Sequence, residues 1–209
     1  MEAATPWYVP LARAVPALAL AAVITFSSDH SAPLGLVTFG IYGVLAGAVL
    51  IASALRATAR GVVRSVTFAQ GILTAVAGIV ALALPGAGLP FFVFLLTTFA
   101  AITGFLELYL GLRSRGRSVS SRDWVFVGGV TALLAIAVLL VPPGYAQPFT
   151  GPNDFEGVLT ASVMVVGILG AYWAIVGIYL VIGALSLRWA ANPSATSASG
   201  SAPAETGTR

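Results

Sequence analysis

The sequence contains no cysteine and no lysine, and it has a single histidine. The lack of cysteine excludes disulfides and thiolate metal sites, and one imidazole is too few for the usual nitrogen ligands of zinc. Charged residues make up only 8% of the 209 positions, whereas a soluble domain carries about 25%. A soluble fold built from this chain would therefore lack the polar surface that water requires.

Hydrophobic residues make up 58% of the chain, and they come in long blocks broken by short polar or Pro/Gly stretches. A helix needs about 20 apolar residues to cross about 30 Å of hydrocarbon. The blocks predict an all-α polytopic membrane protein whose transmembrane domain covers residues 1–191. Residues 192–209, which are mostly Ser, Ala, Gly, Thr and Pro, predict a disordered cytoplasmic tail. The six predicted spans are residues 11–26, 34–55, 62–84, 89–112, 124–141 and 158–187.

The arginines separate the connections into two classes. They occupy the connections between spans two and three and between spans four and five, and one follows span six, whereas the alternate connections contain none. By the positive-inside rule the arginine-bearing connections and both termini face the cytoplasm. Because the formal charge of +3 is explained by topology, the expected partner is the lipid bilayer and no nucleic acid is expected.

The first span has a second interpretation, since Arg13 ahead of an Ala-rich run is also compatible with a cleaved signal peptide. Against cleavage, the connection at Asp29 and His30 leads straight into another span, in the register that the other connections use. We therefore favour a retained first helix.

Landmarks recur along the chain at nearly constant spacing and indicate an internal repeat. Arg64 and Gly71 correspond to Arg122 and Gly129, each 58 positions on, and Gly47 corresponds to Gly104, 57 positions on. The repeating unit is a helical hairpin with Pro or Gly at its outer turn, and three such hairpins account for the chain. Span one matches the pattern poorly.

Small residues at three- and four-residue spacing allow helix backbones to approach closely within a membrane. Gly43, Gly47, Gly71 and Gly104 are the candidate helix-packing positions. Packing within one bundle is the favoured interpretation. The alternative is that Gly43 and Gly47, a Gly-x-x-x-Gly motif, form the face of a homo-oligomer.

Glu107 is the candidate intramembrane ionisable residue, because it lies five residues inside the end of span four. One hypothesis is that it faces the bundle interior and takes up a proton when the pH falls. The favoured alternative is that it reaches the interface or pairs with an arginine of a neighbouring repeat, Arg56 or Arg64. No hydrolase elbow, zinc-protease motif or nucleotide-binding glycine loop is present. We expect a non-enzymatic protein with no catalytic, cofactor or metal site.

The chain resembles the HdeD family of bacterial inner-membrane proteins. The residues that carry the resemblance are Gln70-Gly71-Ile72, Pro85, Gly104 to Leu108 and Arg113, with a partial second copy from Asp123-Trp124 through Gly129 to Pro143. The resemblance implies an inner-membrane protein linked to acid resistance or envelope stress, with no established enzymatic activity. The alternative is a small transporter or channel subunit for protons, ions or a small solute.

Overall fold

The computed structural model describes residues 6–57, 61–116, 118, 120–150 and 156–191. It contains six helices and one short β-hairpin in the described part of the chain. The helices are α1 (Tyr8–Phe26), α2 (Ala32–Arg56), α3 (Val62–Ala83), α4 (Gly88–Arg113), α5 (Ser121–Leu139) and α6 (Ala161–Ala191), and the strands are β1 (Ala146–Thr150) and β2 (Glu156–Thr160).

All six helices are long and apolar enough to cross a membrane, so the predicted fold class is confirmed. Their ends lie within four residues of the predicted ones, and Pro16 is accommodated inside α1. Consecutive helices run in opposite directions. One end of the bundle therefore carries Arg56, Arg64, Arg113, Arg122 and Arg188, and this end is called the arginine end below.

The connection before α6 departs from the prediction. β1 and β2 pair in antiparallel fashion from Ala146 opposite Thr160 to Thr150 opposite Glu156, and α6 begins at Ala161 instead of residue 158. Val158 and Leu159 lie in the predicted span six but in strand β2 of the structure, because a short apolar run does not distinguish a strand from a helix. The predicted disordered tail lies outside the described residues.

The six helices form a closed ring in which neighbours along the chain are neighbours in space. The closest packing joins α2 to α3, α4 to α5 and α1 to α6. The tight pairs thus form between successive predicted hairpins, while the two helices inside each hairpin touch less. Because α6 packs against α1, the ring closes, and α2 also contacts α4 and α6 across it.

Glycines, which have no side chain, explain the close approach of the two helices in two of the tight pairs. A Cβ added to Gly47 of α2 would lie 2.6 Å from the backbone nitrogen of Ala75, and one added to Gly104 of α4 would lie 2.8 Å from that of Ala132. Gly43 and Gly71 lie in the same α2/α3 contact. The Gly43 and Gly47 face is therefore covered by α3 of the same chain, which leaves no room there for a second copy.

The packing also refines the repeat. Gly47 packs against Gly71 and Ala75, and 57 positions on Gly104 packs against Gly128 and Ala132. The spatial counterpart of Gly71 is thus Gly128, and the predicted pairing with Gly129 is wrong by one residue, because Gly129 has no neighbouring atom within 4 Å of an added Cβ.

The same spacing extends to α1, which the sequence reading matched poorly. Arg13 and the buried Ala14 of α1 fall 57 positions before Gln70 and Gly71, which in turn fall 57 before Val127 and Gly128. On the return helices, Leu50 of α2 is the counterpart of Glu107 of α4. One layer of the ring therefore carries polar side chains at positions where other repeats have Val or Leu.

The half of the bundle away from the arginine end is filled by apolar side chains. Phe39 and Phe99 meet edge to face with ring centroids 5.1 Å apart. The fully buried side chains that fill this half and the middle of the bundle include Leu36, Phe39, Phe92, Leu96, Leu169 and Trp173. These residues close the centre of the ring on that side.

A Gly47→Ala substitution tests the α2/α3 contact. We expect a loss of about 1 to 3 kcal/mol of stability, because the added methyl group meets backbone atoms that cannot move aside without separating the helices. The measurement is thermal unfolding of the detergent-solubilised protein, with Gly129→Ala as the matched control. Equal midpoints for the two variants would contradict the described packing.

Candidate functional site: a buried ion pair below a cavity

Glu107 lies in the interior of the bundle and is 3% exposed. Its Oε1 atom accepts a hydrogen bond from Nη2 of Arg13 at 3.0 Å, and the Arg13 side chain is 13% exposed. The two residues form an ion pair between α1 and α4. A lone charge in hydrocarbon is costly, and mutual pairing inside the bundle is the usual way in which membrane proteins accommodate it.

Gln70 completes the group, because its Nε2 atom donates to the same Glu107 oxygen at 2.9 Å. Arg13, Gln70 and Glu107 are called the polar cluster below. They come from α1, α3 and α4, so the cluster joins three of the six helices. Within the part of the chain that the structure describes, no hydrogen bond to the second oxygen, Oε2, is found, and Arg13 Nε is buried without a partner.

The ion pair corrects one prediction about the site. The expected partners of Glu107 were Arg56 and Arg64, but the partner in the structure is Arg13. Arg56 ends α2 and Arg64 lies in the first turn of α3, so both sit at the arginine end. Glu107 lies six residues before Arg113, about 9 Å deeper at 1.5 Å per residue, and the side chain prefers the cation at its own depth.

Sequence reasoning missed Arg13 because it lies near the start of an apolar block and was interpreted as a topological or signal-peptide charge. The available signal was that Arg13 lies inside the predicted span 11–26. In the structure α1 begins at Tyr8, so Arg13 is more than one turn from the helix end. Asp123 was missed as well. Its Oδ1 atom accepts a hydrogen bond from the Tyr179 hydroxyl at 2.9 Å, which ties α5 to α6.

Hydroxyl groups continue the polar environment toward the middle of the membrane. A cavity of about 10 Å³ borders the polar cluster and is lined also by Tyr42, Thr74, Thr103, Thr131 and Tyr172. This volume is about the minimum that admits one water molecule. Thr131 Oγ1 and the Tyr172 hydroxyl lie 2.9 Å apart. Beyond these groups the bundle is filled by the apolar side chains described above.

A larger cavity of about 330 Å³ lies on the other side of the polar cluster. Arg13, Gln70 and Glu107 form its floor, and the ends of the helices at the arginine end form its walls and rim. Arg56, Arg64, Asp123 and Trp124 contribute side chains near the rim. Glu107 is therefore approached from one side of the membrane only.

The other ionisable residues that the structure describes form no comparable group. Among the described residues, no three His, Asp or Glu side chains lie close enough together to hold a metal ion. Asp29, in the connection between α1 and α2, accepts hydrogen bonds from the backbone and hydroxyl of Ser31 at 2.9 and 3.0 Å. It orders the start of α2 and stands apart from the polar cluster.

Fold and site together define a polytopic membrane protein built from repeated helices, with an ion pair in its interior. Residues 69–141 match a family described as a short repeat of unknown function (DUF308), a membrane-protein family that includes HdeD-like proteins. The matched segment covers about a third of the chain and contains Gln70 and Glu107. No curated protein and no solved structure matches the chain.

A double-mutant cycle on Arg13 and Glu107 tests the ion pair. We expect Glu107→Leu and Arg13→Met each to cost about 3 to 5 kcal/mol, because each leaves a buried charge without its partner. The double variant should recover most of that loss, since a buried pair replaced by apolar side chains of similar volume is often neutral or stabilising.

The measurement is the thermal unfolding midpoint of each purified variant in the same detergent. Losses that simply add in the double variant would show that the two side chains do not interact.

Proposed function

We propose that this chain is a non-enzymatic protein of the bacterial plasma membrane that acts in the response to acid or envelope stress, with its arginine end in the cytoplasm. The observation that carries the proposal is the placement of Glu107 at the floor of a cavity, inside the repeat that the HdeD-like family shares. The resemblance suggests the physiological role, and the polar cluster suggests how the protein senses its surroundings.

Protonation of Glu107 is the proposed sensing event. A proton arriving through the arginine-end cavity meets a carboxylate whose Oε2 oxygen has no donor among the described residues. Once neutral, Glu107 no longer balances the charge of Arg13, and a cation left unpaired in the bundle interior is unfavourable. Protonation would therefore weaken the link that holds α1 to α4 and to α3, and the ring would loosen at that layer.

Survival under acid challenge tests this role. We expect a strain that lacks the protein to survive less well, and Glu107→Gln to fail to restore survival, because Gln cannot change charge with pH. Asp29→Asn is the matched control, since it makes the same chemical change at a carboxylate outside the bundle. The strains complemented with the unmodified protein, with Glu107→Gln and with Asp29→Asn are compared at equal protein level in the membrane fraction. Full rescue by Glu107→Gln would remove Glu107 from the sensing role.

A small transporter or channel subunit is the second candidate function, and the arginine-end cavity is the observation that favours it. The repeats all run in the same direction, so they are related by an axis along the membrane normal and not by the inverted symmetry common in secondary transporters. The cavity is open at one side of the membrane and apolar side chains close the bundle at the other side. This arrangement corresponds to one state of a transport cycle. Passage would require Phe39, Phe92 and Leu96 to move apart.

Proteoliposomes distinguish the two candidates. A transporter or channel of this kind should dissipate a proton or ion gradient faster than protein-free liposomes, and replacing Glu107 with Gln should slow that flux. A stress-response protein without transport activity should leave the gradient unchanged. The readout is a pH-sensitive dye enclosed in the vesicles.

A further inference from the structure

The arginine-end cavity carries charge that the polar cluster does not use. Among the described residues, three arginines line it, Arg13, Arg56 and Arg64, against two carboxylates, Glu107 and Asp123. Arg13 is balanced by Glu107, and Asp123, which keeps its negative charge while it accepts a hydrogen bond from the Tyr179 hydroxyl, offsets one of the other two arginines. In the described part of the chain, neither Arg56 nor Arg64 forms an ion pair. The rim therefore has an excess of positive charge that an anion would balance.

Below the rim the walls are apolar. Leu50, Leu110, Val127 and Leu180 line the cavity between the arginines and the polar cluster. Arg64 precedes Gln70 by six residues, which places the rim about 9 Å above the floor at 1.5 Å per residue. A volume of about 330 Å³ falls at the lower end of the range for small-molecule sites, which runs from about 300 to 1,000 Å³.

The floor adds a hydrogen-bond acceptor. Both donors to Glu107 bind Oε1, which leaves Oε2 without a donor among the described residues. A ligand that fits therefore has an anionic group at one end and an apolar body, and its other end lies beside a carboxylate oxygen. A small-molecule site usually has a mostly apolar interior and a few convergent polar groups.

We propose that this cavity binds a small organic anion with an apolar body. Arg56 and Arg64 hold its carboxylate, sulfonate or phosphate group, and the leucines and Val127 enclose its body. Guanidinium groups suit this task because they pair with such anions through several parallel hydrogen bonds. The proposal is independent of the acid-stress role and of transport, since it concerns binding alone.

The test uses the full-length protein in phosphatidylcholine nanodiscs and 2-naphthoate as the probe. Binding is measured by equilibrium dialysis, and the signal of empty nanodiscs is subtracted. We expect saturable binding of 2-naphthoate and binding at least about tenfold weaker for the neutral 2-naphthalenemethanol, because the alcohol lacks the charge-assisted hydrogen bonds that a carboxylate forms with guanidinium groups.

Arginine variants test the rim. Arg56→Gln and Arg64→Gln should each weaken 2-naphthoate binding about tenfold and leave the binding of 2-naphthalenemethanol unchanged. Arg122→Gln is the matched control, because Arg122 lies at the same end of the bundle and does not line the cavity. An equal loss in all three variants would show that the general charge of this end, and not the cavity, attracts the probe.

A second pair of variants tests the site by placing a larger side chain inside or outside the cavity. Gly183 lines it, and an added Cβ there has only Asp123 Oδ2 within 4 Å, at 3.9 Å, so a larger side chain has room to enter the space. Gly183→Phe should abolish saturable binding of 2-naphthoate. Gly129→Phe should not change it, because Gly129 has no atom within 4 Å of an added Cβ and does not line the cavity.

Nanodiscs that contain phosphatidylglycerol identify the source of the natural anion. Competition with 2-naphthoate would assign the site to the phosphate of a membrane lipid, and unchanged binding would assign it to a soluble anion. Both outcomes support an anion at Arg56 and Arg64. The proposal is overturned if 2-naphthoate shows no saturable binding, if the neutral alcohol binds equally well, or if Gly183→Phe binds like the unmodified protein.

Discussion

The ion pair between Arg13 and Glu107 is the interaction on which the arginine-end half of the bundle depends. Both side chains are largely buried, so each charge is stabilised by the other. Gln70 adds a third helix to the same carboxylate oxygen. The consequence is a fixed relationship among α1, α3 and α4, which touch one another far less extensively than the tightly packed helix pairs do.

The other helix contacts of the ring are stabilised by a different interaction. Lipid is as apolar as a leucine side chain, so burial gives little reason for two helices to associate in a membrane. The helices are held together instead by close contact between their backbones, as at Gly47 against Ala75 and Gly104 against Ala132. Because these contacts recur with the repeat, the corresponding helix–helix interfaces of the ring are nearly equivalent. The polar cluster is the layer in which the equivalence is broken, since Leu50 and Val127 occupy the counterparts of Glu107 and Gln70.

That broken symmetry gives the two halves of the bundle different properties. One half is closed by side chains such as Phe92 and Leu96, which have no exposed surface. The other contains a cavity whose floor is charged and whose rim is basic. A structural repeat alone would not need such a layer, and charged residues within spans are rare because of their cost. The cluster is therefore the natural focus for any proposal about function, whether proton sensing, transport or ligand binding.

The sequence by itself determined the membrane, the six helices and the repeat, because hydrocarbon imposes length and composition on each helix separately. It also singled out Glu107 as an ionisable residue inside a span. Only the tertiary structure decided that Arg13 is its partner, that Gly71 corresponds to Gly128, and that the residues before α6 form strands. These facts depend on which helices become neighbours and at what rotation. Closure of the ring by α6 against α1 fixes those relations, and no single apolar segment contains that information.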